Sequence, residues 1–353
     1  MSDHPYRNLP DHAFWHQAIS SRNPLDIAGL YRPKFKIRRH QKIATAGSCF
    51  AQHFSRALIR RNCVFVDEEP APDMLPVDLH KDFNYGIFSA RYANIYTPRQ
   101  MLQTLQRAMG LFDPVDDAWV KNGKLLDPLR PMIEPAGYDD KQQLDDARNA
   151  HLAAVRRVFT KTKIFVFTLG LTEAWINKKD GMVYPMCPGT TGGEFDSDTH
   201  GFHNFTFKET YDDLAYFIKL ARETRPDMKF LLTVSPVPLT ATASGQHVLA
   251  ASVRSKSVLR AVCAEICDAF DFVDYFPSYE AISSHPFKGQ FFEPDMRAVS
   301  QSGVDFAMDM FFDAQGIAAP SKDIKNPGND DKAKAAADLQ CEEEILKSFA
   351  RDP

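Results

Sequence analysis

A serine stands at the boundary between a short apolar run and an amphipathic one. Residues 42–61, KIATAGSCFAQHFSRALIRR, predict a strand over Ile43–Ala46, a turn at Gly47 and Ser48, and a helix with its apolar residues on one side. Glycine permits a sharp turn, and the N–H groups that begin a helix carry partial positive charge that can hold a developing oxyanion. Ser48 therefore lies where a nucleophile would. The alternative is that it only caps the helix, as serines often do.

Two other residues follow apolar runs in the same way. Gly170 comes after Lys163–Leu169, and Ser235 comes after Lys229–Val234. Uninterrupted apolar runs are typical of parallel strands that are covered on both faces. Because ligands bind outside the carboxyl ends of such strands, Ser48, Gly170 and Ser235 are predicted to converge on one edge of the sheet.

The elements that position these residues alternate between strand and helix patterns. This alternation predicts an α/β fold, a three-layer sandwich with a central parallel sheet. A helix is predicted from Pro98 to Ala108 with Thr97 as its cap, and Asn122-Gly123 predicts a hairpin. Asn62–Asp67 is predicted to form a second strand, and residues 177–204 a long loop.

Several longer motifs carry a family resemblance. GSCFA at 47–51 is the signature that names the GSCFA family, and four further segments follow that family's pattern in order: TLGLTEAW at 168–175, LTVSPVPLTATA at 232–243, SKSVLRA at 255–261 and DYFPSYE at 274–280. The sequence resembles this family from Arg38 to Phe312. Such families in turn resemble the SGNH/GDSL hydrolases, whose serine follows the first strand of a three-layer α/β fold. The resemblance implies ester hydrolysis or acyl transfer.

The resemblance also implies where donors to an oxyanion would lie. In the SGNH pattern these are the serine's own N–H, a glycine in a second motif and an asparagine in a third, G-x-N-D. Residues 170–173, GLTE, resemble that third motif, with Thr172 in place of the asparagine and Glu173 in place of the aspartate. For the second motif, Ala93 in RYANIYT occupies a position that often carries glycine, and Gly86 lies nearby. Asn94 could add a side-chain donor or could only bond its own backbone.

The catalytic base departs from the SGNH pattern, which ends in Asp-x-x-His. The corresponding run Asp295-Met296-Arg297-Ala298 carries alanine where the histidine would be. The hypothesis is that His285 replaces it as base, with Asp295 or Glu280 orienting the ring. The alternative is that His285 only packs in its loop, and His247 is a second candidate base.

Other side chains are expected to contact a substrate. These are Glu173, Ser235, His247 and His203. The cluster DSDTHGFH at 196–203 has the residue types of a metal site but no regular ligand spacing, so substrate contact is preferred and no metal site is predicted.

Composition bounds the class of protein. The 353 residues are 44% hydrophobic, which allows one large domain over 38–313 with an N-terminal arm (1–37) and a charged, mobile C-terminal tail (314–353). A net charge of −4 does not favour nucleic acid or an anionic membrane as a partner. No run of about 18 apolar residues occurs, so neither a membrane span nor a signal peptide is predicted, and a cytoplasmic location is expected.

Together these features predict a serine esterase or O-acyltransferase that acts on a small-molecule or glycan ester. The resemblance suggests an acyl ester of a bacterial surface polysaccharide or its precursor. No cofactor is required, although acyl-CoA could serve as acyl donor to a transferase. The alternative is a binding protein for a glycan or acyl ligand that has lost catalysis on a hydrolase scaffold.

Overall fold

The computed structural model describes residues 4–319 and 342–350. Its central sheet has four parallel strands. In spatial order these are β1 (Ile43–Gly47), β4 (Ile164–Leu169), β8 (Lys229–Val234) and β9 (Val273–Tyr275). The predicted α/β fold with a central parallel sheet is confirmed.

Helices cover both faces of this sheet. They are α1 (Ala51–Arg60), α2 (Pro98–Ala108), α3 (Lys141–Lys161), α4 (Phe207–Thr224), α5 (Val248–Ala269), α6 (Ser278–Ser283) and α7 (Gln301–Gln315). The predicted cap of α2 is confirmed, because Thr97 accepts a hydrogen bond from the N–H of Gln100.

Side chains along the strands alternate between two hydrophobic cores. In β4, Phe165 and Phe167 pack into the core that α2, α3, α4 and α5 share. Ile164 and Val166 face the opposite core, which α1, α6 and α7 share. The period of two follows from the pleat of a strand, and it makes the molecule a three-layer sandwich.

Two small antiparallel sheets lie outside this sandwich. One is the predicted hairpin around Asn122-Gly123, formed by β2 (Trp119–Lys121) and β3 (Lys124–Leu126). The other has the order β6 (Val183–Tyr184), β5 (Glu173–Asn177), β7 (His200–Asn204). The prediction of a long loop over 177–204 was therefore wrong in part, because β6 and β7 lie within that segment and pair with β5.

The segment Asn62–Asp67 does not form the predicted strand. It runs beside β1 and exchanges two backbone hydrogen bonds with it, from the N–H of Ile43 to the carbonyl of Val64 and from the N–H of Val66 to the carbonyl of Ile43. The contact amounts to a single bridge between Ile43 and Phe65. The chain then leaves the sheet, so no ladder develops.

The N-terminal arm and the C-terminal segment flank the predicted α/β domain. In the N-terminal arm Tyr31 is buried, and its hydroxyl donates to the carboxylate of Asp274 at 2.9 Å. Of the predicted mobile tail (314–353), residues 320–341 and 351–353 lie outside the described residues. Within it, Glu342–Phe349 forms a short 3-10 helix that we call the C-terminal helix. Within the described part of the chain, no helix has the length and apolar character needed to cross a membrane.

Candidate active site

Gly47 makes the turn from β1 into α1 possible. Its φ of 142° is one that other residues rarely adopt, and a Cβ placed there would lie 2.4 Å from the carbonyl oxygen of Thr168. The neighbouring strand β4 thus excludes any side chain at this position. Ser48 follows directly and is set at the carboxyl end of the sheet.

The hydroxyl of Ser48 is buried and unsatisfied. Ser48 is 2% exposed, and its Oγ has no hydrogen-bond partner among residues 4–319 and 342–350. A buried hydroxyl without a partner costs about 1–3 kcal/mol, and native proteins contain few such groups. Several other side-chain atoms of the described residues share this state, including the hydroxyl of Thr168, and Ser48 differs from Thr168 in its position directly after the strand-to-helix turn.

Gly170 and Tyr96 form a corner around Ser48. A Cβ at Gly170 would lie 3.1 Å from the Cβ of Ser48 and 2.9 Å from Cδ1 of Tyr96, so only glycine fits between them. The carbonyl of Tyr96 accepts hydrogen bonds from the N–H groups of Gly170 (2.8 Å) and Leu171 (3.2 Å). The corner is therefore tightly packed and held by backbone contacts from three segments.

Lys256 reaches this corner from α5. Its side chain is 4% exposed, and Nζ donates to the carbonyl oxygen of Gly170 at 2.5 Å. The N–H of Ser235 bonds the carbonyl of Leu169 at 2.8 Å, which places Ser235 at the same edge of the sheet. The predicted convergence of Ser48, Gly170 and Ser235 on one edge is what the structure shows, and it adds Lys256 to them.

A cleft of about 470 Å³ opens on the other side of Tyr96 and Leu171. Its walls come from the start of α2, from the β5–β7 sheet with the loop after β6, from the segment Leu239–Ala243 and from the C-terminal helix. Ser48 does not line the cleft, but Gly170, against which Ser48 packs, is the neighbour of Leu171 in the chain. Ser48 thus lies one layer of residues beneath the cleft.

Glu173 places a carboxyl group in this cleft. Its oxygens accept hydrogen bonds from the hydroxyl of Thr242 at 2.8 and 2.9 Å, and Asn204 donates to it at 3.4 Å. Burial raises the pKa of Glu173, an effect that the Thr242 hydrogen bond and the charge of Arg254 partly offset.

The sequence profile of the GSCFA family matches residues 42–311, which is most of the chain. The protein belongs to the GSCFA family. No curated protein matches it.

Some solved structures are weakly similar to this GSCFA protein. A family 3 carbohydrate esterase from Clostridium thermocellum is 9% identical over 80% of this chain and 100% of that one, with a TM-score of 0.33. A putative GDSL-like lipase from Parabacteroides merdae is 12% identical with the same coverage and TM-score. A family 3 carbohydrate esterase from Talaromyces cellulolyticus is 14% identical over 77% and 94%, with a TM-score of 0.28. Likenesses this small carry no argument about activity or substrate.

Two of the donors expected for an oxyanion are already engaged in the GSCFA protein. The N–H of Ser48 donates to the carbonyl of Thr168 at 3.0 Å, as the next step of the β1–β4 ladder. The hydroxyl of Thr172 donates to Asn204 at 2.8 Å, and its N–H donates to the hydroxyl of Ser255 at 2.7 Å. A hydroxyl has one proton, so in this conformation Thr172 does not serve the predicted role.

The second predicted donor region lies partly at the site. Ala93 is buried with a φ of 58°, a left-handed conformation that explains why glycine suits this position. Asn94 is also buried, and its side-chain oxygen accepts a hydrogen bond from Gln52 of α1 at 3.4 Å. Gly86, by contrast, is exposed, and a Cβ added there would meet no atom within 4 Å, so the structure does not bring it to Ser48.

The structure does not bring His285 to Ser48 either. His285 is exposed, and its ring stacks on Trp15 of the N-terminal arm with centroids 5.4 Å apart. Asp295 accepts hydrogen bonds from the N–H groups of Arg297 and Ala298, both at 2.9 Å, so it closes a turn. Glu280 bonds Arg260 and Tyr275 and does not orient a histidine.

The remaining candidate histidines have structural partners. His247 caps α5, where its Nδ1 accepts from the N–H of Leu249 at 3.2 Å, and His203 pairs with Glu209 at 2.9 Å. All 11 histidines lie within the described residues, none bonds the hydroxyl of Ser48, and none lines the cleft. A serine–histidine pair is therefore not formed in this conformation.

The DSDTHGFH segment forms a turn that is closed by its own hydrogen bonds. Nδ1 of His200 accepts from the N–H of Asp196 at 3.0 Å, and Thr199 donates to the Asp196 carboxylate at 2.5 Å. Across the residues that the structure describes, no group of three or more histidine, cysteine, aspartate or glutamate side chains is arranged to hold a metal ion.

The cleft itself was not predicted from sequence. Trp175 and Phe202 lie opposite one another on β5 and β7 and line the cleft, as does Phe349 of the C-terminal helix. The aromatic and β-branched residues Trp175 and Ile176 are a local signal that could have identified β5. Its pairing with β7 joins residues about thirty positions apart, which local patterns do not encode.

Proposed function

We propose that this GSCFA protein hydrolyses or transfers an acyl group of an ester, with Ser48 as the nucleophile. The observation that carries the proposal is the buried, unsatisfied hydroxyl of Ser48, held at the strand-to-helix turn beneath the cleft. In a stable fold such a group is costly, and a reactive hydroxyl that awaits a substrate explains it. Because Ser48 is closed from solvent in this conformation, turnover requires the corner formed by Tyr96 to open.

The base that we propose is Lys256. Serine–lysine pairs are a known variant of the serine–histidine arrangement, and a lysine can act as base when burial favours its neutral form. Neutral Nζ accepts the proton of Ser48 as Oγ attacks the ester carbonyl, and it then returns that proton to the departing alcohol. In this proposal Lys256 exchanges its bond to the Gly170 carbonyl for one to the hydroxyl of Ser48 when substrate binds.

The acyl-enzyme then has two possible fates. Water attacks it to release a carboxylic acid, or a hydroxyl of an acceptor attacks it to form a new ester. We propose a cytoplasmic setting with a precursor of a surface polysaccharide as acceptor or substrate, and acyl-CoA as donor in the transfer case. Adding an alcohol to the assay distinguishes the two fates, because a transferase forms the new ester at the expense of free acid.

A second candidate function is binding without turnover. It is favoured by one observation, that no histidine bonds the hydroxyl of Ser48. In that case the cleft would hold a ligand and Ser48 would remain unreactive.

Hydrolysis of p-nitrophenyl butyrate tests these functions. We expect the wild type to release nitrophenol and Ser48→Ala to lose this activity. Ser55→Ala is the matched control, since Ser55 lies further along the same helix and its hydroxyl bonds Thr45 at 2.6 Å. Equal rates for wild type and Ser48→Ala would favour the binding function.

A further inference from the structure

The cleft beside Ser48 is walled mainly by apolar side chains. The apolar lining includes Leu171, Trp175, Val183, Met186, Phe202 and Leu239. At about 470 Å³, its volume lies within the range of roughly 300–1,000 Å³ that small-molecule sites occupy. It is therefore large enough for a flexible chain of several carbons.

Most of the polar side chains of the cleft are already hydrogen-bonded within the protein. Gln100 bonds the backbone of Tyr96 and Asn94, and Thr97 caps α2. The hydroxyl of Tyr184 donates to Asp116 at 3.0 Å and accepts from Asn177 at 3.1 Å.

The two other threonines of the cleft are engaged in the same way. Thr242 donates to Glu173, and Thr190 donates to the carbonyl of Cys187. A sugar ring buried here would lose the hydrogen bonds of its hydroxyls to water and find few replacements, which is costly.

The charges of the cleft disfavour an anionic occupant. No lysine, arginine or histidine of the described residues lines it, and Glu173 is its one charged side chain there. A phosphate or carboxylate group would therefore have no counter-charge in the cleft. The occupant that fits these walls is apolar and uncharged.

The chain's own C-terminal helix supplies a further sign of this preference. It places Leu346 and Phe349 against the cleft, while its charged residue Glu344 turns away to pair with Arg297. Among the described side chains of this helix, the two that line the cleft, Leu346 and Phe349, are both apolar.

We propose that this cleft binds the uncharged, hydrophobic acyl chain of an ester, with the ester bond directed toward Ser48. The ester part of this inference rests on the proposed function, whereas the binding of an apolar chain does not. The substrate class is thus a medium-chain acyl ester, and acetyl esters of sugars are poor substrates because they leave the cleft unfilled.

A chain-length series tests the inference through catalysis. For p-nitrophenyl esters of two to eight acyl carbons, we expect kcat/KM to rise by about two- to fourfold per added methylene. Ala241→Trp, at an exposed alanine that lines the cleft, should abolish that rise, because the indole occupies the space that the longer acyl chains would fill. Ala250→Trp, at an exposed alanine outside the lining, should behave as wild type.

A binding experiment separates this inference from the proposed function. The uncharged dye N-phenyl-1-naphthylamine should fluoresce on binding to wild type and to Ser48→Ala, decan-1-ol should displace it, and Ala241→Trp should weaken its binding at least tenfold. Dye binding of this kind without Ser48-dependent hydrolysis would support the acyl cleft and overturn the esterase. Ser48-dependent hydrolysis with no chain-length preference and no effect of Ala241→Trp would overturn the acyl cleft alone.

Discussion

At the scale of the residue, the site depends on Gly47 more than on any polar group. A side chain at this position meets the backbone of β4, which cannot give way without breaking the sheet. We expect Gly47→Ala to lower the free energy of unfolding by roughly 3 kcal/mol or more. Gly110→Ala is the control, because Gly110 also has a positive φ of 72° but open space around it. Urea unfolding measures the stability of both variants. Similar decreases in the free energy of unfolding would contradict the steric explanation.

Substitutions of Lys256 can distinguish two roles of its side chain, that of a base and that of a fixed positive charge. Lys256→Met and Lys256→Arg should both lower the rate of Ser48 acylation by about 100-fold or more, because arginine keeps the charge but does not accept a proton at neutral pH. Arg254→Met, an exposed position on the same helix, should change the rate little. The pH dependence of acylation is the measurement. Full activity in Lys256→Arg would show that Lys256 acts only through its charge.

At the scale of the element, local patterns predicted what local forces determine. The helix that begins at Pro98 and the hairpin at Asn122-Gly123 were confirmed, since a cap and a two-residue turn are set by neighbouring residues. The β5–β7 pairing was missed, and Asn62–Asp67, which was predicted as a strand beside the first, lies there but forms only a single bridge to β1. In both cases, whether a strand forms depends on which segment, distant in sequence, lies beside it and pairs with its backbone.

The C-terminal helix contributes to the cleft in a way that can be measured. Replacing both Leu346 and Phe349 by alanine removes apolar surface from its wall, so the affinity for N-phenyl-1-naphthylamine should fall by about threefold to tenfold. Phe207→Ala is a suitable control, since Phe207 is also exposed but does not line the cleft. Unchanged affinity in the double variant would mean that this helix does not contact the bound dye.

At the scale of the whole molecule, a buried histidine predicts sensitivity to acid. Burial, with a smaller effect of Arg56 and Arg60, lowers the pKa of His53 to about 3. The unfolded chain binds this proton near pH 6.5 and the folded chain does not, so the free energy of unfolding falls as the pH drops from about 6.5 toward 3. The slope that one histidine contributes is at most about 1.4 kcal/mol per pH unit.

The variant His53→Gln should reduce that slope, and His285→Gln, at an exposed histidine, should not. Urea unfolding at several pH values measures it. The same slope in wild type and His53→Gln would contradict the assignment.

The limits of sequence reasoning also appear at this scale. The apolar runs correctly located Ser48, Gly170 and Ser235 at one edge, because the carboxyl ends of parallel strands must meet there. The comparison with the SGNH pattern placed His285 at the site, yet the ring stacks on Trp15, a residue 270 positions away in the chain. The position of a loop histidine depends on tertiary packing, which the spacing of residues in the sequence does not predict.

The most direct test of the account is the site of labelling by a fluorophosphonate. After reaction and digestion with trypsin, mass spectrometry should find the adduct on Ser48 within the peptide that spans residues 43–56. Ser48→Ala should leave that peptide unlabelled, which excludes Ser55 as the modified residue. An unlabelled wild type, or an adduct that persists in Ser48→Ala, would contradict the central claim that Ser48 is the nucleophile.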